Sequence, residues 1–411
     1  MVVAFVGMAF VSAKGQAAYT PFSSFGIGDY YGNGLVHNQG MGGIGISNPQ
    51  SWYVNNQNPA LLVFNTLTSF SAGYLVESRT IRNSSIREKN TNGNINYLVL
   101  GLPIKRSKWT TSISLMPYTN VNYKLTYTQE IENSVNTVDV TETGSGGINQ
   151  LSWAHGVTIN RNISVGAKAN YFFSSIDRRF VNQLSQVSAT GIIPSIYTRQ
   201  HFSDFNLTGG LSIRKDSLFK KNYRLNFGLV YDFKADIKTK YYEVVERNGT
   251  TQDTLANNNI RQTTLPQTLS VGLSFGKAEY WIFASDFTFL DYSQFRDING
   301  SNPGTTQGWK WAVGGEFTPD PLSVSSYLKR MTYRTGVSLE KYPYLVNGNT
   351  LQDIAFNFGF SMPVSRVSNL DFGIKYGKRG DIKTNTVSEN YFKVSLGVTF
   401  NDQWFIKRRF D

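Results

Sequence analysis

The chain has 411 residues, no cysteine, 14% aromatic residues and only 17% charged ones, where ordinary globular chains carry about 25% charge. Disulfide scaffolds, thiolate chemistry and cysteine-held metals are excluded. What remains, aromatic-rich, charge-poor and with 37 glycines, is the composition of a transmembrane β-barrel, in which only alternate residues face lipid.

The net charge of +12 would raise nucleic acid as a partner for a soluble chain. Here the basic residues are scattered among strand and loop positions, with one cluster at Lys407-Arg408-Arg409. No basic helix or zinc-finger spacing accompanies them, so no nucleic-acid partner is expected; the charge belongs to a barrel surface facing anionic lipid or a periplasmic partner.

In chain order, Val2–Val11 is an apolar run of h-region length, and small residues follow within Gly15–Ala18. Residues 1–17 read as a signal peptide, although no basic stretch precedes Val2. No later run approaches 18 apolar residues, so no membrane-spanning helix is expected. Residues 18–65 form the next unit. Within it Pro21–Ala60 is rich in Gly and Asn, lacks sustained periodicity, yet holds Phe22, Phe25, Ile27, Tyr30, Tyr31, Leu35, Ile44, Ile46, Trp52 and Tyr53. That much apolar surface needs a partner, and its glycines permit close backbone packing, so the segment is expected to sit inside something.

From residue 66 to residue 400 the pattern is period two. Phe392, Val394, Leu396, Val398 and Phe400 fall on one face, with Tyr391, Lys393, Ser395, Gly397 and Thr399 on the other. Expected strands cover 66–77, 94–104, 108–120, 147–159, 163–177, 199–213, 222–235, 262–276, 279–291, 308–318, 329–340, 352–362, 369–378 and 389–400. That gives an all-β, antiparallel transmembrane barrel of about 14 strands, an even number as in single-chain outer-membrane barrels. Short joins (Lys105–Ser107, Asn160–Asn162, Lys215–Lys221, Lys277-Ala278, Val364–Ser368 and the longer Pro319–Tyr327) alternate with long polar ones. The long set is Ser78–Gly93, Asn122–Gly146, Arg178–Thr198, Asp236–Arg261, Tyr292–Gln307, Lys341–Leu351 and Arg379–Ser388. Short turns are expected in the periplasm, with both termini and the tail 401–411, and long loops outside the cell. Trp109, Tyr280-Trp281, Trp309, Trp311 and Tyr391 are the expected interfacial aromatics.

Three motifs invite chemistry. Gly40-x-Gly42-x-x-Gly45 has the dinucleotide spacing but lacks the preceding strand, the helix and the later acidic residue, so it reads as close backbone packing. His37, His155 and His201 have no metal-ligand or triad spacing. His155 shares the parity of Trp153 and Val157 and reads as interfacial, with no nucleophile or orienting partner. No catalytic residue, metal site or cofactor is expected. Pro117 interrupts a well-alternating strand, either as a kink or gap in pairing or as the strand's end.

Phe25-Gly26-Ile27-Gly28-Asp29, Met41-Gly42-Gly43 and Asn58-Pro59-Ala60, followed by such a barrel, resemble the long-chain fatty acid transporter (FadL-like) superfamily of outer-membrane proteins. Gly101-Leu102-Pro103, Pro117-Tyr118 with Tyr123, Tyr376-Gly377-Lys378-Arg379-Gly380 and Asn401-Asp402-Gln403-Trp404-Phe405 make it similar to the branch common in Bacteroidetes-type Gram-negative bacteria. The resemblance implies an N-terminal hatch inside the lumen, with Phe25, Gly26, Gly28, Asp29, Gly42, Gly43, Asn58, Pro59 and Ala60 as its hatch and gating residues. It implies a lateral opening at a third-strand kink around Met116, Pro117 and Tyr118. The implied partners are a fatty-acid-like hydrophobic ligand and the lipid and lipopolysaccharide of the outer membrane. Relatives of the fold also serve as non-transporting subunits or shuttles of protein secretion systems, which leaves secretion-system proteins as alternative partners.

Overall fold

The computed structural model describes residues 18–130, 137–184, 193–218, 222–277, 279–365 and 367–403. The expected signal peptide and the Lys407-Arg408-Arg409 cluster lie outside them. Fourteen antiparallel strands close into a barrel: β1 Thr68–Arg82, β2 Arg87–Lys105, β3 Trp109–Glu130, β4 Thr137–Thr158, β5 Ile163–Leu184 and β6 Pro194–Leu218 lead. β7 comes in two pieces, Tyr223–Asp232 and Ala235–Arg247, as does β8, Thr250–Leu265 and Thr268–Lys277. Then follow β9 Trp281–Asp291, β10 Gln307–Phe317, β11 Thr332–Val346, β12 Asn349–Pro363, β13 Ser368–Arg379 and β14 Ser388–Asp402. The barrel closes where β14 pairs with β1, from Ser388↔Arg82 to Asp402↔Thr68 without a register shift.

The burial pattern is inverted relative to a soluble sandwich. Trp153 and Phe358 are each 57% exposed on the outer face, while Ser114, Ser152, Asn170 and Asn226 are buried on the inner one. Alternation with the apolar face outward is what a lipid-facing wall requires. Trp109 donates from Nε1 to His155 Nδ1 (3.2 Å), and the His155 ring packs edge-on against Trp153. His155 is therefore one of the outer-face aromatics. Tyr391 is not: it is 2% exposed and its hydroxyl donates to Asp353 inside the barrel (2.7 Å). Its parity with Lys393 overrides its position near a strand end.

The strands also run past the expected limits. β6 has 25 residues, on the order of 80 Å at about 3.3 Å per residue, where about 10 suffice to cross a membrane. Most of the expected long loops are continuations of the ladder; Asp236–Arg261 is a hairpin paired from Ala235↔Leu265 to Arg247↔Thr250. Beyond the bilayer both strand faces meet water, so alternation fades while backbone pairing continues.

Residues 18–65 lie against the inner faces of strands around the whole circumference. The only regular pieces there are the 3-10 turns Pro21–Ser24 and Pro59–Phe64, a helical turn Val36–Gln39 and a two-residue strand Asp29–Tyr30. Wall glycines let this backbone come close. A Cβ on Gly228 would stand 1.9 Å from the Ile46 carbonyl oxygen, and one on Gly336 2.5 Å from the Met41 carbonyl carbon. Leu35, Val36, Val54 and Leu62 pack with Tyr97, Val99, Met116 and Ala154 as one cluster between segment and wall.

Candidate functional site

The wall is not paired equally everywhere. β3 pairs with β4 along its whole length, from Trp109↔Val157 to Glu130↔Thr137. Its pairing to β2 runs only from Lys105↔Trp109 to Leu98↔Leu115. Past Leu115 the two strands part. Pro117 has no N–H to donate, and a bulge leaves Tyr118 unmatched in the ladder to β4. β2 carries its own irregularity at the same height: Tyr97 opposes Gly73 and Ile95 opposes Tyr74, so Asn96 is the extra residue. β3 runs on through Pro117 to Glu130, so the strand does not end at Met116, while its pairing to β2 stops at Leu115.

The N-terminal segment fills that gap. Asp29 and Tyr30 pair antiparallel with Asn120 and Thr119 on the edge that β2 has left. Tyr31 N donates to Tyr118 O (3.1 Å) and Thr20 N to Asn122 O (2.9 Å). On the other side Asn94 Nδ2 donates to Tyr31 Oη (2.9 Å) and Asn90 Nδ2 to Tyr19 O (3.2 Å). The Tyr30 and Tyr118 rings meet edge to face at 4.5 Å, and Tyr118 packs on Phe172. Gly28 makes the approach feasible: its φ is +103°, and a Cβ there would lie 2.4 Å from Asn120 O.

Charge holds the same segment from the opposite direction. Asp29 accepts from Arg79 (3.2 Å) and Arg379 (3.1 Å), and Arg79 also pairs with Glu77 (2.6 Å) and Glu389 (2.8 Å). Lys393 joins Glu77 at 2.6 Å, and Arg379 reaches Asp353 at 3.4 Å. Burial alone would push the Asp29 carboxyl up; Arg379, Arg79 and Lys393 outweigh it and hold the carboxyl well below its ordinary range. Two further contacts anchor the segment. Asp286 on β9 accepts from Gly45 N and Ile46 N (2.8 Å each). Tyr53 donates to Asp371 (2.8 Å) and stacks on His37 at 4.1 Å, while Arg334 pairs with Glu316 at 3.0 Å. Burial, then Arg334, pushes the His37 pKa well below its ordinary value, so that ring stays neutral.

The expected site residues separate into three places. Gly28 and Asp29 lie at the parted seam against Asn120, while Phe25 and Gly26 just before them reach other strands: Phe25 stacks on Tyr344 of β11 (5.6 Å) and Gly26 O accepts from Arg178 of β5 (2.7 Å). Gly42 and Gly43, with φ of +81° and +89°, lie beside Val337 and Lys310; of the dinucleotide-like triplet, Gly40 packs against the Gly359 backbone, Gly42 against that of Val337 and Gly45 against the Gln57 and Asn38 side chains. Asn58, Pro59 and Ala60 sit against β4–β6: Asn58 Nδ2 donates to Leu211 O (3.1 Å) and Ser164 Oγ to Ala60 O (2.8 Å). Met116 points inward, where Asn56 Nδ2 donates to its sulfur (3.0 Å). Sequence reasoning missed Arg79, Arg379, Glu389, Asp286 and Asn96. The signal was there: charges at inward parity in a membrane strand are costly and demand a partner.

A cavity of about 240 Å³ adjoins the seam, lined there by Tyr30, Tyr31, Leu75 and Asn96 and across from it by Lys310 and Lys375. Asn96 Nδ2 is buried without a hydrogen-bond partner. Among the described residues no group of His, Asp and Glu could hold a metal ion.

Among solved structures the chain is similar to a Pseudomonas aeruginosa FadL homologue, at 12% identity, 90% of this chain and 98% of that one, and a TM-score of 0.59. The Ralstonia pickettii toluene transporter TbuX matches at 12% identity over 90% and 99%, with a TM-score of 0.57. The P. putida toluene transporter TodX matches at 15% over 91% and 100%, also at 0.57. At these identities the likeness establishes the FadL-like fold. No curated protein matches. The family model described as BamG matches residues 1–411, and the chain belongs to the BamG family.

Proposed function

We propose that this barrel is an outer-membrane channel for hydrophobic small molecules, with residues 18–65 as its hatch and the parted β2–β3 seam as a lateral way out of the lumen. The observation that carries the reading is the break in pairing beyond Leu98↔Leu115, filled by a two-residue strand instead of by continued wall. Releasing Asp29 and Tyr30 from β3 breaks few backbone bonds, with the Arg79 and Arg379 pairs of Asp29 as the further restraint, whereas opening any fully paired seam would break a whole ladder. A cavity beside the seam, with Tyr30, Tyr31 and Leu75 on the seam side and Lys310 and Lys375 across from it, suits a ligand with an apolar body and a polar end. The solved relatives described as toluene transporters supply the substrate class by analogy. On this reading the short turns and both ends of the chain face the periplasm, the outer face meets lipid and lipopolysaccharide, and the protein catalyses no reaction.

The test exploits the absence of cysteine. Tyr30 and Thr119 are directly opposite each other, within the Cα spacing a disulfide spans. Tyr30→Cys with Thr119→Cys should abolish uptake of a fluorescent fatty acid by proteoliposomes when oxidised and restore it on reduction. Equal uptake in both states would sink the seam as the route.

A second reading, a non-transporting subunit of a barrel-assembly or secretion system, is favoured by the number of anchors on the segment: Asp29, the 45–46 amides and Tyr53 are each held by buried wall charges. Co-purification of stoichiometric partners from native membranes, with no uptake by the isolated barrel, would select it.

A further inference from the structure

The mouth at the short-turn end has a chemistry of its own. It is a cup of about 990 Å³ whose walls come from several different connections, including Ser107, Tyr280, Leu322, Tyr327 and Val364, and whose floor is the segment at Gln50–Tyr53. The cup therefore opens along the barrel axis into water and not sideways into the bilayer.

Its lining is cationic and aromatic. Arg214 and Arg224 both reach the single carboxylate of Asp216 at 2.9 Å, so two guanidinium groups share one negative charge. Arg214 also lies over the Phe64 ring at 4.6 Å, and Arg330 over Tyr327 at 5.2 Å. On the floor the Arg334–Glu316 pair is neutral, and Gln50 Nε2 donates to Glu316 (2.7 Å). Trp52, Tyr280 and Trp281 add aromatic faces, and Leu322 stands 82% exposed on the lip.

The surrounding turns repeat the sign. Lys105, Arg106 and Lys108 sit on the first short turn, and Arg161 on the second. Lys215 and Lys329 flank the third and fifth; the acidic residues here include Asp216, Glu279, Glu316, Asp320 and Asp402, of which Glu316 is already paired with Arg334. A good share of the chain's +12 is thus gathered around one opening, where it focuses a positive potential on whatever approaches.

We infer that this cup docks an acidic protein segment carrying aromatic or aliphatic side chains, supplied by a partner on that side of the membrane. Arg forks take carboxylates bidentately and stack on rings, and aromatic-plus-Arg lining is the composition of interface hot spots. A lipid headgroup has the right charge but would have to leave the bilayer to reach the barrel axis. The docking goes beyond the channel reading and does not depend on it.

The test uses the full chain in phosphatidylcholine nanodiscs, which leave both ends accessible. The probe is a fluorescein-labelled peptide of alternating glutamate and phenylalanine, read by anisotropy, against a lysine–phenylalanine peptide of equal length. Expected are saturable binding of the acidic peptide alone, weakening as salt rises, and a tenfold or greater loss in Arg224→Gln/Arg330→Gln. Arg330 is exposed, so Arg330→Gln alone serves as the variant least able to disturb folding, with several-fold loss expected and heat-modifiable migration unchanged. Binding unaffected by either variant, equal binding of the basic peptide, or displacement by short-chain phosphatidylglycerol at lower concentration than by unlabelled peptide would overturn the proposal. The oxidised Tyr30→Cys/Thr119→Cys barrel should bind the peptide as the parent does, so loss of transport and loss of docking are separate results.

Discussion

Two seams of one barrel meet opposite fates. Where β14 closes on β1, fifteen-residue strands pair from end to end with no register shift. Two strands along, β2 and β3 pair only from Trp109 to Leu115 and then diverge. The difference is not one of strand length, since β2 and β3 have 19 and 22 residues against 15. It comes from Pro117 and from two bulges at one height, Asn96 and Tyr118. The two seams also hold the N-terminal segment differently. The closed one grips it with ions, through Arg79 of β1 and Glu389 of β14; the parted one grips it with backbone hydrogen bonds to Asp29–Tyr31. An ionic grip in a low-dielectric lumen is strong but fails all at once when one partner goes. A two-residue ladder is weak and reversible.

The largest effect should therefore come from the closed seam. Arg79→Met removes the one cation that bridges Asp29, Glu77 and Glu389 together, leaving three buried carboxylates to Arg379 and Lys393 alone. The expected cost is about 3–5 kcal/mol, seen as a lower urea midpoint and as raised conductance in planar bilayers once the segment loosens. A barrel as stable and as closed as the parent would mean that the ion network is not what holds the segment.

Gly28→Val acts on the other seam. Its φ of +103° and the 2.4 Å approach to Asn120 O leave no room for a side chain, so the two-residue strand must come off β3 at a local cost of about 1–3 kcal/mol. Permeability to a hydrophobic dye should rise while the global unfolding midpoint barely changes, because the wall ladder is untouched. A fall in both together would show the strand to be part of the cooperative fold.

Pro117→Ala should do less. It restores an N–H but leaves the bulges at Asn96 and Tyr118, so stability should shift by no more than about 1 kcal/mol. Hydrophobic uptake should drop several-fold as β2 and β3 gain the option of pairing further. Unchanged uptake would remove the seam's main support.

How far this was legible depends on the medium each residue meets. Inside the bilayer one face sees lipid and the other a polar lumen, so period two stands out and fourteen strands could be drawn. Outside it, the stretch Thr126–Glu130 is polar on both faces, and nothing in its sequence distinguishes a ladder from a loop. Pro117 was readable as an interruption, yet only the register shows that β4 stays paired while β2 leaves. Tyr391 was misplaced at the interface because residue type was weighed over parity. The ion cluster is the clearest loss. Glu77 and Arg79 lie far along the chain from Arg379 and Glu389, and barrel closure alone makes β1 and β14 neighbours.

The smallest expected effect falls at Asn96, and it bears on whether the seam is tuned for a ligand or only for packing. The residue is the bulge in β2, lines the cavity, and has a buried Nδ2 with no partner. An unpaired buried donor costs about 1–3 kcal/mol, so removing it relieves a penalty while opening a small void of similar weight. Asn96→Ala should leave the unfolding midpoint nearly where it was. If the amide exists to meet a ligand's polar end at the seam, the same variant should lower retention of a bound fatty acid several-fold, measured by mass spectrometry of the purified barrel. Retention equal to the parent's would reduce Asn96 to a bulge residue, and the parted seam to a feature of how this wall bends around its N-terminal segment.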